Sequence, residues 1–490
     1  MHLGGAAAPH RDDIMPSQVL VVVQSAAMPS EMISFECRRV EGPAEPEDLL
    51  DWLAGRRHPV WLDSAAGGPA GRYSILAADP VGEVRYGGPG DADPFEAIDR
   101  LAAGYRLEGR PPVPFVGGLA GWIGYEAGRC IERIADRPAR PSPPIPCVWM
   151  GLYDTVAVFD HHDETWTVAG IEVPETLADR GPSLRTRLRA WSDVLAAARP
   201  APPLVPPMRA TALTPNMSFG RYRRMIERAL EYIAAGDIYQ VNLAQQFELA
   251  SPEPPPQIYR RLRRSNRGAY AALIGWGDRW VLSSSPELFL DVRDGGVVTR
   301  PIKGTAPRWG NPLVDDSARR RLLASEKDRA ELNMIIDLER NDLGRVCRLG
   351  SVQVAEAHGL EEHPTVFHLV GTVRGELAEP VGTGGLLRAT FPGGSITGAP
   401  KIRAMQIIDE LEPTGRGVYC GGIGWIAPGG DATLNIAIRT MTAWDGRVVV
   451  PVGGGIVADS TPPAEFDETL AKARGMLAAL GADHLEPSIE

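Results

Sequence analysis

Apolar positions follow two rhythms along the chain, and the places where one gives way to the other outline the predicted elements. Thr155–Phe159 and Thr165–Ile171 are short runs of β-branched and aromatic residues. They predict two strands joined at His161-His162-Asp163, a solvated hairpin tip. From Ser218 the period lengthens: Tyr222, Ile226, Leu230 and Ile233 share one helical face, with Ser218 as cap and Gly236 as stop. Strand-like segments follow at Gln240–Leu249, Ala271–Ile274, Trp280–Leu290 and Val297–Lys303. Helical patterns recur at Ser317–Leu343, Pro400–Leu411 and Pro463–Leu480. Strands in series with helices between groups of them predict an α+β fold rather than strict βαβ alternation.

Two proline clusters, Pro138–Pro146 and Pro200–Pro207, interrupt these patterns. Each proline removes a backbone donor and restricts its predecessor, so the second cluster is read as a boundary. No internal repeat or charge block accompanies it.

Composition narrows the class. The chain of 490 residues is 44% hydrophobic and 23% charged, as expected of a globular protein with a sizeable core. Its formal charge, 51 − 62 = −11, offers no net positive field for displacing phosphate counterions, so nucleic acid is not expected as a partner. Val19–Val23, the longest early apolar run, is too short for a spanning helix or a signal sequence. Cys37, Cys130, Cys147, Cys347 and Cys420 are scattered and odd in number, which fits neither a disulfide framework nor a zinc site. A cytoplasmic protein away from membranes is expected.

Several residues could carry chemistry. Asp328 with Glu331, and Glu465 with Glu468, are spaced three apart on predicted helices, so each pair shares a face. Two such faces meeting would form an oxygen-rich cage suited to Mg²⁺, although such pairs more often sit on solvated faces. Lys303 closes an apolar strand beside a Gly turn, where burial would depress its pKa and make it a nucleophile; an exposed strand end is the alternative. Phe391–Lys401 is a Gly-rich turn feeding a helix and lacks phosphate-loop spacing. Gly453-Gly-Gly455 permits close backbone approach to a ligand, or a bulge. Strand alternation puts His368 with Val366 and Val370, where a core histidine is the default.

Taken in order, Ser284-Ser-Pro-Glu287, Pro301-Ile-Lys-Gly-Thr305, Asp328-Arg-Ala-Glu331 with Asp337–Arg345, His368-Leu-Val370, Gly393–Lys401 and Gly453–Ile456 with Glu465–Glu468 resemble the chorismate-utilising enzyme family. Arg72-Tyr-Ser-Ile75 and Gly117–Tyr125 extend the resemblance through residues 35–485. It implies an antiparallel two-sheet sandwich flanked by helices. It also implies an extension at 1–32, an N-terminal region at 33–199, a Pro-rich linker at 200–215 within an interleaved unit, and a chorismate-binding catalytic region at 216–485.

Two positions discriminate within that family. Members that add water to chorismate carry a lysine where this chain has Gln240, which cannot act as a general base near neutral pH. Ammonia is therefore the expected nucleophile. Anthranilate synthases have Pro-Ile-Ala-Gly where this chain has Pro301-Ile-Lys303-Gly. The resemblance thus favours the branch that aminates chorismate at C4, giving 4-amino-4-deoxychorismate for 4-aminobenzoate and folate synthesis. Anthranilate synthesis and a non-catalytic amidotransferase-binding subunit stand as alternatives.

By the same resemblance, Lys303 would attack C2 with Glu287 as general acid and His368 orienting the ring. Mg²⁺ would be held by Glu331 and Glu468, with Asp328 and Glu465 in support. Ser395, Thr397, Tyr419, Arg439, Gly453, Gly454, Gly455 and Lys472 would bind substrate. A separate glutamine amidotransferase subunit would supply ammonia, because no cysteine here has the context of that nucleophile. Trp61-Leu-Asp-Ser64 with Arg72-Tyr-Ser resembles the tryptophan-binding region of anthranilate synthases, which makes Ser64, Arg72 and Tyr270 a candidate tryptophan pocket.

Overall fold

The computed structural model describes residues 31–485 apart from 42–44, 65–70, 89, 135–139, 175–181 and 364–365. Two antiparallel sheets dominate it, one of 12 strands and one of 10. Alternation along the strands shows how they are stacked. In Thr155–Asp160, Val156 and Val158 join a core cluster with Trp122, Trp149 and Trp425 of the smaller sheet. Ala157 and Phe159 of that strand point the other way, to Leu188, Trp191 and Tyr259. The sheets are thus packed face to face, with helices on the outer sides, because successive side chains leave a strand in opposite directions.

Both halves of the chain build both sheets. In the larger sheet Val60–Asp63 pairs with Tyr270–Trp276, with Asp63 opposite Ala271. In the smaller one Gly118–Ile123 pairs with Gly422–Ile426. The expected sandwich and its interleaving are present, and 200–213 is an extended segment tied to the body. Arg260 and Arg261 donate to the carbonyls of Pro202 and Val205. Residues 31 and 32, assigned by sequence to the extension, begin a short strand, Glu31–Ile33, beside Tyr105–Leu107; residues 1–30 lie outside the described residues.

Three predicted segments prove to be two elements each. The helical run Ser317–Leu343 divides into Pro312–Ala324 and Glu326–Gly344, because Ser325 turns extended and caps the second helix at the Asp328 N–H, 3.2 Å away. The run Trp280–Leu290 is Arg279–Ser285 in the larger sheet and Leu288–Arg293 in the smaller. Between them Pro286 and Glu287 carry the chain from one sheet to the other. The run Val297–Lys303 likewise breaks at Pro301, whose missing N–H ends one ladder before Ile302–Pro307 starts another on Val366–Glu376. Apolar periodicity continues through such breaks, so the pattern alone does not reveal them.

Candidate active site

The crossing at Pro286-Glu287 places a carboxylate between the sheets. Glu287 is 4% exposed; its N–H donates to Ser285 Oγ at 3.2 Å, and its Oε1 accepts from the Ile302 N–H at 3.5 Å. That last contact lies beside Lys303, the next residue on its strand. Lys303 Nζ makes one long hydrogen bond, 3.4 Å to the Ser395 carbonyl. Burial pushes the Glu287 carboxyl up, against the pull of the Ser395 hydroxyl and the Lys303 charge. Burial pushes the Lys303 ammonium down, against Glu331, Glu287 and Glu468, and Lys472 adds to the depression. Burial thus works against the charged form of both groups.

Ser395 sits in the short Gly394–Ile396 turn, whose outer carbonyls are held by neighbours. Asn242 Nδ2 donates to Ser395 O at 2.9 Å and Asn242 N to Thr397 O at 2.8 Å. Thr397 is fully buried and gives its hydroxyl to Gly393 O at 2.9 Å. The Ser395 hydroxyl, near Glu287 but outside hydrogen-bond geometry, has no partner among the described residues.

The two acidic helix faces predicted from spacing converge on this spot. A Cβ on Gly454 would lie 3.1 Å from Glu465 Oε2 and 3.7 Å from Glu468 Oε1, so the bare backbone leaves room beside both carboxylates. Glu331 faces them from Glu326–Gly344: burial pushes its carboxyl up, Lys303 and Lys327 draw it back, and Asp328 and Glu468 add to the rise. Burial raises Glu465 too, whereas Glu468, despite burial, is drawn below the usual range by Lys472 at 2.8 Å. The Asp328 side chain packs against Gly304, next to Lys303. Among the described residues no three His, Cys, Asp or Glu side chains stand in ready-made ligand geometry. A hard divalent cation nonetheless suits the donor set: all are carboxylates, and Glu465 Oε2 is buried with no partner.

Across from this face, Arg439 is held at φ +50, and its carbonyl accepts from Ser284 N at 3.0 Å. Such a backbone costs about 1 kcal/mol or more and persists where the surroundings enforce it. Its guanidinium donates to Asn266 Oδ1 at 3.1 Å. A Cβ on Gly453 would stand 3.1 Å from the Tyr419 hydroxyl, and one on Gly455 would collide with the Gln240 amide. Gln240 is fully buried, with neither amide atom partnered among the described residues. Lys472 is spent on Glu468 and on Gly453 O at 3.0 Å. His368, 1% exposed, has no partner for Nδ1 among the described residues, and its ring lies 4.9 Å from that of His363. Burial, Arg439 and His363 push its pKa down to about 3, so the ring is neutral.

Ser64, Arg72 and Tyr270 do not share one set of partners. Ser64 Oγ donates to Tyr73 O at 2.6 Å, and Arg72 grips Asp160 through Nε and Nη2 at 2.7–3.0 Å. Burial pushes the Tyr270 hydroxyl up to about 12, against the pull of Arg300 and with Glu361 adding to the rise. Sequence reasoning passed over Asn242, Glu339 and the buried pair Arg416–Glu412. Glu339 lies inside the quoted Asp337–Arg345 segment, and Arg416 is a charge within a Gly-rich run; neither spacing says what it touches.

Residues 57–478 match the family model of the chorismate binding enzyme. The chain is 42% identical over 390 residues to aminodeoxychorismate synthase component 1 of Klebsiella aerogenes, covering 79% of this chain and 82% of the relative. It is also 40% identical to anthranilate synthase component 1 of Streptomyces coelicolor, covering 90% of this chain and 84% of the relative. Among solved structures, anthranilate synthase component I from Streptococcus pneumoniae TIGR4 superposes with a TM-score of 0.74 at 33% identity, over 84% of this chain and 93% of that one.

Proposed function

The chain belongs to the chorismate binding enzyme family, and from that premise we propose that it is an aminodeoxychorismate synthase component 1. It would act in the cytoplasm with a separate glutamine amidotransferase subunit as its source of ammonia. The observation that carries this reading is Lys303, an amine held between the sheets beside Glu287 and driven by burial toward its neutral, nucleophilic form.

Lys303 Nζ attacks C2 of the ring while the 4-hydroxyl leaves, taking the Glu287 proton and departing as water. Ammonia then adds at C4, Lys303 is expelled from C2, and the net change is loss of one water for one ammonia. Two successive allylic displacements put nitrogen at C4 rather than C2. His368, neutral at working pH, orients the ring and leaving hydroxyl. Arg439 and Tyr419 grip the pyruvyl carboxylate, helped by the N–H groups of Gly453–Gly455. Glu331 and Glu468, with Asp328 and Glu465 behind them, would hold Mg²⁺. When bound, the metal supplies positive charge for the ring carboxylate.

The Streptomyces coelicolor relative favours anthranilate synthesis as a second reading. The two separate when purified protein is incubated with chorismate, Mg²⁺ and an ammonium salt. The expected product is 4-amino-4-deoxychorismate, which aminodeoxychorismate lyase converts to 4-aminobenzoate. With EDTA replacing Mg²⁺, product formation should stop. Fluorescent anthranilate instead would overturn the C4 assignment and the Lys303 covalent route with it.

A further inference from the structure

Lys303 carries its amine on a flexible four-carbon stem, and such a nucleophile is effective only where something fixes the nitrogen. Among the described residues the one acceptor that Nζ meets is the Ser395 carbonyl, at 3.4 Å. The same oxygen accepts a second, shorter bond from Asn242 Nδ2 at 2.9 Å. A carbonyl oxygen has two lone pairs, so Asn242 takes one and leaves the other for the amine. Because Ser395 O can only accept, it also dictates which end of the Asn242 amide faces it.

The turn does not depend on this bond for its shape. The Ile396 carbonyl accepts from Arg416 Nη1 at 3.0 Å, the Thr397 carbonyl accepts from the Asn242 N–H at 2.8 Å, and the Thr397 hydroxyl closes on Gly393 O at 2.9 Å. None of the three uses the Asn242 side chain. Asn242 is itself anchored through its backbone. Its carbonyl accepts from Arg416 Nη2 at 2.8 Å, and it stands opposite Gly455 in the ladder between Gln240–Ala250 and Arg447–Ile456. The Nδ2 bond is therefore spare for the fold, yet it ends on the atom that Lys303 uses. Resting on the Lys303 reading above, we propose that Asn242 is a positioning residue for the nucleophile: through the Ser395 carbonyl it sets where the Lys303 amine stands when it attacks C2. It acts through Ser395 O rather than on the reacting atoms.

Mixing the enzyme with chorismate and Mg²⁺ without ammonia reads the positioned step directly. Nζ forms a bond to C2, the 4-hydroxyl leaves as water with the Glu287 proton, and the proton lost by the amine returns to Glu287. The Lys303 peptide thus gains the mass of chorismate less one water. In Asn242→Leu the rate constant for this adduct, and kcat with ammonium, should both fall about thirtyfold, because the amine has lost its fixed acceptor. The KM for chorismate should stay within about twofold of wild type, and the final amount of adduct per mole of protein should be unchanged. Should Asn242→Leu not fold, Asn242→Asp keeps the shape, turns the donor into an acceptor and should show the same drop. An adduct rate constant within about threefold of wild type, or a loss confined to the amount of adduct, would make Asn242 structural and defeat the positioning role alone. Wild-type protein that gains no mass at Lys303 would instead defeat the functional reading, and the positioning role with it.

Discussion

Two clusters of buried charge flank the Gly394–Ile396 turn, and they are satisfied in opposite ways. On one side is Arg416. Its Nε and Nη2 donate to Glu412 at 3.0 and 2.6 Å, Nη2 also to Asn242 O at 2.8 Å, and Nη1 to Ile396 O at 3.0 Å. Glu412 Oε1 takes the Ala244 N–H at 2.9 Å as well, and Glu126 receives the N–H groups of Arg416 and Gly417. The guanidinium lies over the Tyr125 ring at 4.5 Å, although the Tyr125 hydroxyl itself meets no partner among the described residues. On the other side, among the described residues, Lys303 makes one long hydrogen bond, and Ser395 Oγ, both amide atoms of Gln240, His368 Nδ1 and Glu465 Oε2 make none. Burying a polar group without a partner costs about 1–3 kcal/mol, so the second cluster destabilises the protein on its own. The first cluster is the chain recognising itself. The second is shaped for something the chain does not contain.

If that contrast holds, the largest functional effect belongs to the unsatisfied side. Lys303→Ala should lower turnover by at least about a thousandfold, roughly 4 kcal/mol of barrier, without lowering the thermal midpoint. A lysine whose pKa is depressed in the folded state contributes least to stability at neutral pH, because the unfolded chain holds its proton more readily; the deficit closes as pH rises toward 10.5. Turnover within tenfold of wild type would remove Lys303 from the chemistry.

The satisfied side should show the reverse. Arg416→Leu strands Glu412 and leaves the Asn242 and Ile396 carbonyls without their donor, so urea unfolding should show a loss of about 3–5 kcal/mol. Adding Glu412→Leu should return part of that loss, since an apolar pair leaves no orphaned charge. A single variant within 1 kcal/mol of wild type would mean the network does not hold the turn.

The same contrast explains what could be read from sequence. The convergence of Glu287, Lys303, Glu331, Glu465 and Glu468 was legible because the motifs they belong to fix residue types in a particular order. The long strands and helices were legible because burial on one face imposes a period. Breaks at Ser325, Pro286-Glu287 and Pro301 were not, since apolar periodicity runs across them and only a capping bond, a change of sheet or a shift of ladder register marks the boundary. Arg416 and Glu412 were hidden for a different reason. Their partners lie at Asn242, Ile396 and Glu126, and only the assembled fold brings these together. Glu339 lies on a helix, and its donor Thr299 is forty residues away on a strand.

His368 gives the smallest effect and the most direct reading of which side a residue belongs to. A structural histidine paired with a carboxylate would have its pKa raised and would stabilise the fold as pH falls. His368 is the opposite case: burial, Arg439 and His363 hold it near 3 against a usual 6.5, and Nδ1 meets no partner. Above pH 6.5 the ring is neutral folded or unfolded, and it contributes no pH dependence. Below 6.5 the unfolded chain takes up a proton that the folded chain refuses, so stability is lost progressively down to about pH 3. Between pH 7 and 5 this amounts to about 2 kcal/mol. Urea titrations of wild type and His368→Gln at those two pH values isolate it, because every other titrating group is common to both. The wild type should lose about 2 kcal/mol more than the variant on going to pH 5. Equal losses would mean that His368 titrates normally, and its neutral ring would then have to be explained by bound substrate rather than by the fold.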